Sequence, residues 1–424
     1  MRNASAAPLP RWRTDVFLAA AIALDLATRG ILPVVLPAMR AEFHYSDAAF
    51  GILGSLFFWS YSAFAPVAGA LGDLYSRRLV ILVSLVAWSA STALNGAATG
   101  FITLAVLRLA FGFSESLYLP AATALQADHH EPETRTLAMG LNSLAQNGGA
   151  VLGAAGAGLI AEHWGWRYAF AAFGLAGIVL ALCSGHLLRD APVSTTVQAP
   201  RTNIREALAY LLRDPTYLLL DANEILSAVA VWIFFFWLPL FLYETYGIKM
   251  AAAGFSGMAM QQFSGMAGIA AGTWLSRRLP HLDARRRLSV FAICYVAAAP
   301  CLLCFLFHPT FLAVVIAVSI FSLLRGLGAV YELPVLCDVV PSSYRSTAMG
   351  LLVSGANVAG GLGVLAAGLL KHSFGLTGVF ALMSAVCLLA GLSLVWGYWR
   401  FASRDLARAN DWIARQAAEY AKKT

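Results

Sequence analysis

Twelve apolar stretches, each close to the length of a membrane-crossing helix, run through the 424-residue chain. A helix crosses the hydrocarbon core of a bilayer with roughly 20 apolar residues, and a lipid-exposed backbone satisfies its hydrogen bonds only as a helix or a closed barrel. Charged residues make up 12% of the chain, against about 25% in soluble domains. The sequence therefore predicts an all-α polytopic membrane protein. The predicted spans are 14–39, 50–72, 79–98, 101–127, 135–162, 168–188, 216–246, 252–276, 288–307, 310–339, 344–371 and 377–399.

The longest polar connection, at 189–215, separates six spans from six and contains "RTNIREALAY", which favours a short amphipathic helix on the membrane surface. This predicts an N-terminal six-helix half at 1–188, a C-terminal half at 216–400 and a tail at 401–424. Of the 29 Lys and Arg residues, 22 fall on the side of the termini and the linker, and 4 on the opposite side. The positive-inside rule then predicts an inner or plasma membrane protein with both termini in the cytoplasm. Because this rule explains the basic residues, nucleic acid is not expected as a partner.

The two halves carry a weak internal repeat. "RTLAMGLNSLAQNGGAVLGAAGAGLI", from Arg135, aligns with "RSTAMGLLVSGANVAGGLGVLAAGLL", from Arg345, at an offset of 210, so that Asn147 matches Asn357. Glycine-rich membrane helices can look alike because small residues allow close packing. The shared "AMGL", with Arg and Asn in register, nevertheless favours duplication of a six-helix unit. Parallel six-helix repeats with a site near the midplane are a transporter architecture.

The loop after the second span reads "GALGDLYSRRLVIL". It resembles the signature of the major facilitator superfamily between its second and third helices. In that family the Asp braces the two halves in one conformation, and two arginines suit a loop at the anionic leaflet. The resemblance implies a gating motif, with "GTWLSRRL" at 272–279 as the matching loop of the second half, without the Asp. The motif residues are Gly69, Gly72, Asp73, Arg77 and Arg78.

Three predicted spans carry ionisable residues well inside them, although a charge at the bilayer centre costs at least about 2.5 kcal/mol. Such residues persist where they pair, line a wet cavity or take part in transport. Asp25 and Arg29 are four apart, which permits a direct pair, and Arg29 and Glu115 lie at similar depth in their spans. At offset 210 Arg325 is the counterpart of Glu115, so the halves are predicted to present opposite charges to a central cavity. The six residues are Asp25 and Arg29, Arg108 and Glu115, and Arg325 and Glu332. Asp221 and Glu224, near the start of the seventh span, are expected to be solvated.

Three further segments narrow the resemblance: "DLATRGILPVVLPAM" in the first span, "RLAFGFSESLYLP" in the fourth and "FFFWLPLFLYETYGI" in the seventh. They resemble the organic anion:cation symporters and the Spinster-like lipid transporters. In those branches the fourth-helix carboxylate carries the proton and arginines engage an anionic group. The resemblance implies proton coupling by Glu115, with Asp25 as a second candidate. It implies anion binding by Arg29, assisted by Arg108 or Arg325.

Polar and aromatic residues along the spans are further candidates for lining the cavity with Glu332. Each of them alone is more often a packing or interfacial residue. They are Tyr61, Tyr118, Asn142, Asn147, Trp237, Tyr243, Gln261, Gln262, Tyr331 and Asn357.

The expected function is secondary transport rather than catalysis: a proton-coupled symporter of a small organic anion such as a sugar acid. The sequence contains no G-x-x-x-x-G-K phosphate loop and no H-E-x-x-H zinc helix. We expect no metal and no cofactor, a proton gradient as the energy source, membrane lipids as surroundings, and a monomer. The nearest alternative is an exporter of a lysolipid or an amphipathic drug, in which the tail could touch the membrane. A membrane sensor or enzyme is a weaker alternative.

Overall fold

A computed structural model of the protein describes residues 9–184, 188, 204–279, 283–341, 344–401 and 404. At Gly69, Gly72 and Asp73 it describes the backbone only. Within these residues the chain is a succession of helices joined by short turns, with no β-strand. The predicted all-α fold is confirmed.

Twelve helical segments of the described chain correspond to the twelve predicted spans. Nine helices are long and apolar enough to cross a membrane. One of these, Arg345–Arg400, is broken at Gly375 and supplies two spans. The shorter apolar helix Trp166–Leu182 and the more polar Met250–Arg278 complete the set. In order, the spans are Leu9–Phe43, Asp47–Leu74, Arg77–Asn95, Phe101–Ser116 with Tyr118–His129, Pro132–Trp164, Trp166–Leu182, Pro215–Tyr246, Met250–Arg278, Ala284–Ala298 with the 3-10 segment Ala299–Phe307, Phe311–Val339, and the two parts of Arg345–Arg400. The segment "RTNIREALAY" contributes the short helix Ile204–Leu211.

Glycines in a left-handed conformation separate two pairs of consecutive spans. Gly165 has φ 101° between the fifth and sixth spans, and Gly375 has φ 65° between the eleventh and twelfth. Only glycine adopts such angles without a steric penalty. The two glycines lie 210 positions apart, so the duplication includes the geometry of this turn.

The fourth span is interrupted directly after its acidic residue. Its first helix ends at Ser116 and its second begins at Tyr118. Pro120 has no backbone N–H, so the carbonyl of Ser116 cannot receive the usual hydrogen bond from four residues ahead. Glu115 therefore lies at the end of a helical segment inside the span.

Internal contacts divide the chain into two compact units. The first comprises 1–196 with 235–259 and 364–369, and the second comprises 197–234, 260–363 and 370–424. In the first unit the first span packs along the fifth, and the third along the sixth; in the second unit the ninth span packs along the tenth. The predicted boundaries at the linker 189–215 remain a prediction.

One arginine in each repeat fastens the turn that precedes its own helix. Arg135 donates hydrogen bonds from its guanidinium to the carbonyls of Ala127 and His130, at 3.1 and 3.3 Å. Arg345 donates to the carbonyls at the two matching positions, at 2.6 and 3.1 Å. The arginine and both carbonyl positions are each related by the offset of 210. The repeat in the sequence therefore also appears as a repeated set of hydrogen bonds.

An arginine–aspartate pair also repeats at this offset. Arg77 forms an ion pair with Asp128, and Arg287 forms one with Asp338 at 3.0 Å. By this offset the counterpart of Arg77 is Arg287, which lies outside the resembling loop at 272–279. Arg277 lies in the last turn of the eighth span, whereas Arg287 lies in the first turns of the ninth span, where it reaches the Asp.

Candidate substrate and proton site

The centre of the first unit contains a charged triad, defined here as Asp25, Arg29 and Glu115. Nη2 of Arg29 donates to Oδ2 of Asp25 at 3.2 Å and to Oε1 of Glu115. Asp25 and Arg29 are one helical turn apart on the first span, and Glu115 comes from the fourth. One cation thus faces two carboxylates, which leaves an excess of one negative charge when both are ionised.

The three members of the charged triad differ in accessibility. The Arg29 side chain is 16% exposed, whereas those of Asp25 and Glu115 are 4% and 1% exposed. Arg29 is therefore the most accessible member of the charged triad. A water-borne anion that enters the unit at this point would reach Arg29 before it reached either carboxylate.

Aromatic rings of the second span cover one side of the guanidinium. The Phe57 ring centroid lies 5.0 Å from Cζ of Arg29, and the Tyr61 centroid lies 5.7 Å from it. The fourth span reaches this surface because of Gly112, where an added Cβ would lie 2.5 Å from the carbonyl oxygen of Phe57. Small residues of this kind allow membrane helices to pack at short range. Gly112 also lies three residues before Glu115, which brings that carboxylate to Arg29.

Each member of the charged triad keeps one buried polar atom without a hydrogen bond to any described residue: Oδ1 of Asp25, Nε of Arg29 and Oε2 of Glu115. A buried polar atom left in this state costs about 1–3 kcal/mol. These atoms are two acceptors and one donor. The site is therefore suited to a further hydrogen-bonding group or a water molecule.

Arg108 is placed differently from Arg29. Its side chain is buried, and its guanidinium carbon lies 5.7 Å from the Phe170 ring of the sixth span and 5.9 Å from Phe111. Its Nη2 atom has no hydrogen-bond partner, and Arg108 forms no ion pair, among the residues described. Arg108 is thus a second buried cation of the first unit, outside the charged triad.

Several other predicted lining residues donate hydrogen bonds to the backbone. Tyr118 is buried and donates its hydroxyl hydrogen to a carbonyl of the first span at 2.9 Å. Trp237 is buried and donates to the Val364 carbonyl at 3.1 Å. Asn147 and Asn357 each donate to the carbonyl four residues earlier, at 2.7 and 3.0 Å. Gln261 is half-buried, and the Tyr61 ring lies beside Arg29 of the charged triad.

In the second unit the structure brings Arg325 and Glu332 together with a residue that sequence reasoning set aside. Glu332 and Glu224 lie within electrostatic range of each other, and Arg325 lies close enough to interact electrostatically with both. Glu224 is half-buried and has charged neighbours, so solvation is only part of its environment. Glu224 is nine residues beyond the start of its helix at Pro215, which is about 14 Å at 1.5 Å per residue. That depth was a signal available in the sequence.

The predicted gating motif is described only in part. The structure describes only the backbone at Gly69, Gly72 and Asp73, where the second span continues to Leu74. Arg77 pairs with Asp128 and also donates to a backbone carbonyl of the fourth span at 3.0 Å. Arg78 is half-buried at the start of the third span.

The chemistry of these groups is that of binding and protonation. No cluster of three or more His, Cys, Asp or Glu residues in the described segments is placed to hold a metal ion. The charged triad can bind an anion through Arg29 and a proton through either carboxyl. Twelve helical spans in the described chain, a duplicated unit and ion pairs inside the spans are together typical of an integral membrane transporter.

Comparison with known proteins assigns the family. The model of the Major Facilitator Superfamily matches residues 18–293 and 281–414. The chain belongs to the Major Facilitator Superfamily.

The relatives include proteins of both branches that the sequence resembles. The chain is 25% identical over 395 residues to the hexuronate transporter of Bacillus subtilis, covering 90% of this chain and 93% of that one. It is 28% identical over 395 residues to protein spinster homolog 3 of Mus musculus, covering 84% of this chain and 74% of that one. A crystal structure of a bacterial homolog to the human lysosomal transporter Spinster has a TM-score of 0.78 at 19% identity, covering 95% and 99% of the two chains. At that identity the structural likeness supports the shared fold alone.

Proposed function

We propose that the protein is a proton-coupled symporter of a small organic anion that works by alternating access. Arg29 binds the carboxylate of the substrate, Arg108 or Arg325 assists, and Glu115 carries the proton. The observation that carries this proposal is the charged triad, in which the accessible member is the arginine and a buried carboxylate competes for it.

Arginine suits the first role because its planar guanidinium can bind a carboxylate through two parallel hydrogen bonds and does not lose its proton. Arg29 uses Nη2 for both carboxylates, and its Nε has no partner among described residues. A substrate carboxylate that approached the exposed part of Arg29 would find donors available. The Phe57 and Tyr61 rings limit the approach to the remaining side.

Coupling follows from competition within the charged triad. Ionised Glu115 holds Arg29, while protonated Glu115 loses its charge and releases the arginine for the substrate. Breaking a buried ion pair by removing one partner costs about 3–5 kcal/mol, so proton and anion stabilise each other's binding. A transporter with this property moves the two together down a proton gradient.

The substrate class is a carboxylate of small size, such as a sugar acid. The charged triad offers one accessible cation, which matches one carboxylate. The similarity to a hexuronate transporter over 90% of this chain supports the same class.

The remaining features of the proposal are the orientation in the membrane, the oligomeric state and the energy source. Basic residues outside the spans lie mainly on the side of the termini and the linker, which supports cytoplasmic termini in a plasma or bacterial inner membrane. The working unit is a monomer, the energy source is the proton gradient, and no cofactor takes part.

The test is uptake into proteoliposomes under an imposed pH gradient, first with hexuronates and other sugar acids. Wild-type protein is expected to accumulate the anion when the outside is acidic. Glu115→Gln should lose gradient-driven accumulation and retain anion exchange. Glu131→Gln is the matched control, because Glu131 is exposed and makes no side-chain capping bond. Equal accumulation by wild type and Glu115→Gln would rule out the coupling role.

A second candidate function, export of a lysolipid or amphipathic drug, is favoured by a groove in the second unit. This groove has a volume of about 480 Å³ and an almost wholly apolar lining from the 3-10 segment of the ninth span, the end of the eleventh span and the twelfth span. Phe374, Leu306 and Leu382 are among its exposed apolar residues. An acyl chain fits such a surface, and the similarity to a spinster homolog points the same way.

The same liposomes distinguish the two functions. Transfer of a fluorescent lysolipid between leaflets, unaffected by sugar acids, would favour the exporter. Competition between sugar acids for uptake, with no lysolipid movement, would favour the anion symporter.

A further inference from the structure

The second unit carries a basic and aromatic surface that the proposed mechanism does not use. Arg285 and Arg286 lie in the first turn of the ninth span, and Arg400 is the last helical residue of the twelfth. Tyr398 and Trp399 precede Arg400 in the same turn. We call these five residues the basic–aromatic surface.

The ninth and twelfth spans pack closely and bring the two parts of this surface together. A Cβ at Gly391 of the twelfth span would lie 2.8 Å from the backbone nitrogen of Val296 on the ninth. Nearer the helix ends, Cζ of Arg285 lies 4.6 Å from the centroid of the Tyr398 ring. A guanidinium group stacks favourably on an aromatic face. Tyr398 also packs against the buried core of the second unit, so its ring fixes the position of the Arg285 charge.

The positive charges of this surface are not neutralised by the residues described. Nε of Arg285 is buried and has no hydrogen-bond partner among them. Neither Arg285 nor Arg286 forms an ion pair with any of them, whereas the next residue, Arg287, is paired with Asp338. Asp283 uses a side-chain oxygen to accept a hydrogen bond from the backbone N–H of Arg286 at 2.8 Å. The surface therefore keeps an excess of positive charge and donors that can serve an anion.

Exposed apolar side chains continue from this surface along the twelfth span. Leu389, Leu392, Trp396 and Trp399 recur at intervals of three or four residues, and all four are exposed. Ile293 of the ninth span is exposed as well. Exposed apolar side chains of a membrane span face acyl chains, and tryptophan favours the boundary between membrane and water. The arginines thus lie at the level of the headgroups, with an acyl-chain surface directly beside them.

A phospholipid with a negatively charged headgroup matches both parts of this arrangement. Its phosphate accepts hydrogen bonds from guanidinium groups, which can bind it through two parallel bonds. Its acyl chain lies along the exposed apolar face. A free phosphate would use the arginines and leave the apolar face without a role. Basic side chains at the cytoplasmic ends of membrane helices are typical of sites for anionic lipids.

We propose that the basic–aromatic surface binds the headgroup of an anionic phospholipid. Arg285 and Arg286 contact the phosphate, Tyr398 positions the Arg285 guanidinium, and Trp399 lies against the start of the acyl chain. The assignment to the cytoplasmic leaflet rests on the orientation proposed above. Lipid binding is measured without transport and without a defined orientation, so its failure can be told apart from failure of the proposed function.

The test is native mass spectrometry of the purified full-length protein in detergent, with phosphatidylglycerol or phosphatidylethanolamine of the same acyl chains added. Wild type is expected to retain phosphatidylglycerol in preference. One basic side chain near the membrane surface strengthens the attraction to anionic lipid by about fivefold. Arg285→Gln and Arg286→Gln should therefore each weaken phosphatidylglycerol binding by about fivefold and leave phosphatidylethanolamine binding unchanged. Arg13→Gln is the matched control, because Arg13 is an exposed arginine near the start of the first span, and it should match wild type.

Two substitutions of Tyr398 test the positioning role separately from charge. Tyr398→Leu should weaken phosphatidylglycerol binding although no charge is removed, because Arg285 loses the ring on which it stacks. Tyr398→Phe keeps the ring and should bind as wild type does. An equal loss in the Leu and Phe variants would overturn the positioning role.

Three results would overturn the lipid site. Equal retention of the two lipids by wild type would show no selection for the anionic headgroup. An equal loss in Arg13→Gln and Arg285→Gln would show that binding follows net charge alone. Displacement of phosphatidylglycerol by the same concentration of inorganic phosphate would assign the arginines to a free anion. Thermal unfolding shows whether each variant is folded. Where Arg285→Gln is not, Arg285→Lys replaces it: this variant keeps the charge, loses the planar group and should bind phosphatidylglycerol more weakly than wild type.

Discussion

The charged triad makes Glu115→Gln the most informative substitution in the first unit. The change keeps the size of the side chain and removes its charge. Glu115 then no longer competes with a substrate carboxylate for Arg29. We expect the variant to bind the anion tightly at every pH, as wild type does at acidic pH where Glu115 is protonated.

The size of this effect follows from the contact. Arg29 and Glu115 are directly paired, and the Glu115 side chain is 1% exposed, so water screens the pair weakly. Coupling between contacting residues reaches about 3 kcal/mol. A coupling of about 2–3 kcal/mol corresponds to roughly 30- to 150-fold in affinity, since each 1.4 kcal/mol is tenfold. The anion should therefore bind the variant tighter than wild type by that factor at alkaline pH, and equally at acidic pH.

The assay is calorimetric titration of the purified protein with the transported sugar acid at both pH extremes. Asp25→Asn is the matched comparison within the charged triad, because Asp25 is bonded to the same Nη2 atom at 3.2 Å. A smaller gain is expected there, since Asp25 belongs to the same helix as Arg29 and its contact is longer. If wild type and Glu115→Gln show the same pH dependence of affinity, competition for Arg29 does not underlie coupling.

Three further predictions concern binding and packing. Arg29→Lys should lose anion binding by at least tenfold in the same titration, because a point charge replaces the planar fork; full affinity in the Lys variant would contradict bidentate recognition. Gly158→Val should lower thermal stability by about 1–3 kcal/mol and reduce transport, because a Cβ at Gly158 would lie 2.5 Å from the Ala251 backbone; Gly140→Val, with no atom within 4 Å, should match wild type. Arg345→Met should cost about 1–3 kcal/mol of stability in thermal unfolding, because it strands two bonded carbonyls; an unchanged unfolding temperature would show that those bonds contribute nothing.

The sequence was sufficient to predict the spans. Membrane helices must be long and apolar, so composition alone marks their number and order. The ends were harder to place. The helix Leu9–Phe43 extends beyond the predicted 14–39 at both ends, and hydropathy cannot detect such polar helical turns. The break after Ser116 was also not predicted, although Pro120 was visible.

Pairing inside a span could be predicted only where spacing fixes it. Asp25 and Arg29 are one turn apart on one helix, and their contact follows from helical periodicity. The partner of Glu332 depends on which helices are neighbours, and one sequence does not reveal that. For the same reason the sequence does not show that Arg287 repeats the ion pair of Arg77. The second half has two nearby arginine clusters, at 277–278 and 285–287. The ion pair with Asp338 identifies the second of them as the one that matches Arg77.

The duplicated halves share features of their helix ends and turns but differ in the charged residues inside the spans. Several features that repeat at offset 210 lie at helix ends and turns, namely the arginine bonds of Arg135 and Arg345 and the left-handed Gly165 and Gly375. Charges inside the spans do not repeat. Arg29 corresponds to a proline in the second half, and Glu115 corresponds to an arginine.

A symmetric scaffold with asymmetric charges fits the proposed mechanism. Two similar halves can exchange conformations at little cost in free energy, because each supplies equivalent turns and helix-end contacts. Coupling, in contrast, needs groups that respond differently to a proton and to an anion. In the proposed mechanism the charged triad of the first unit supplies those groups, with Arg29 for the anion and Glu115 for the proton.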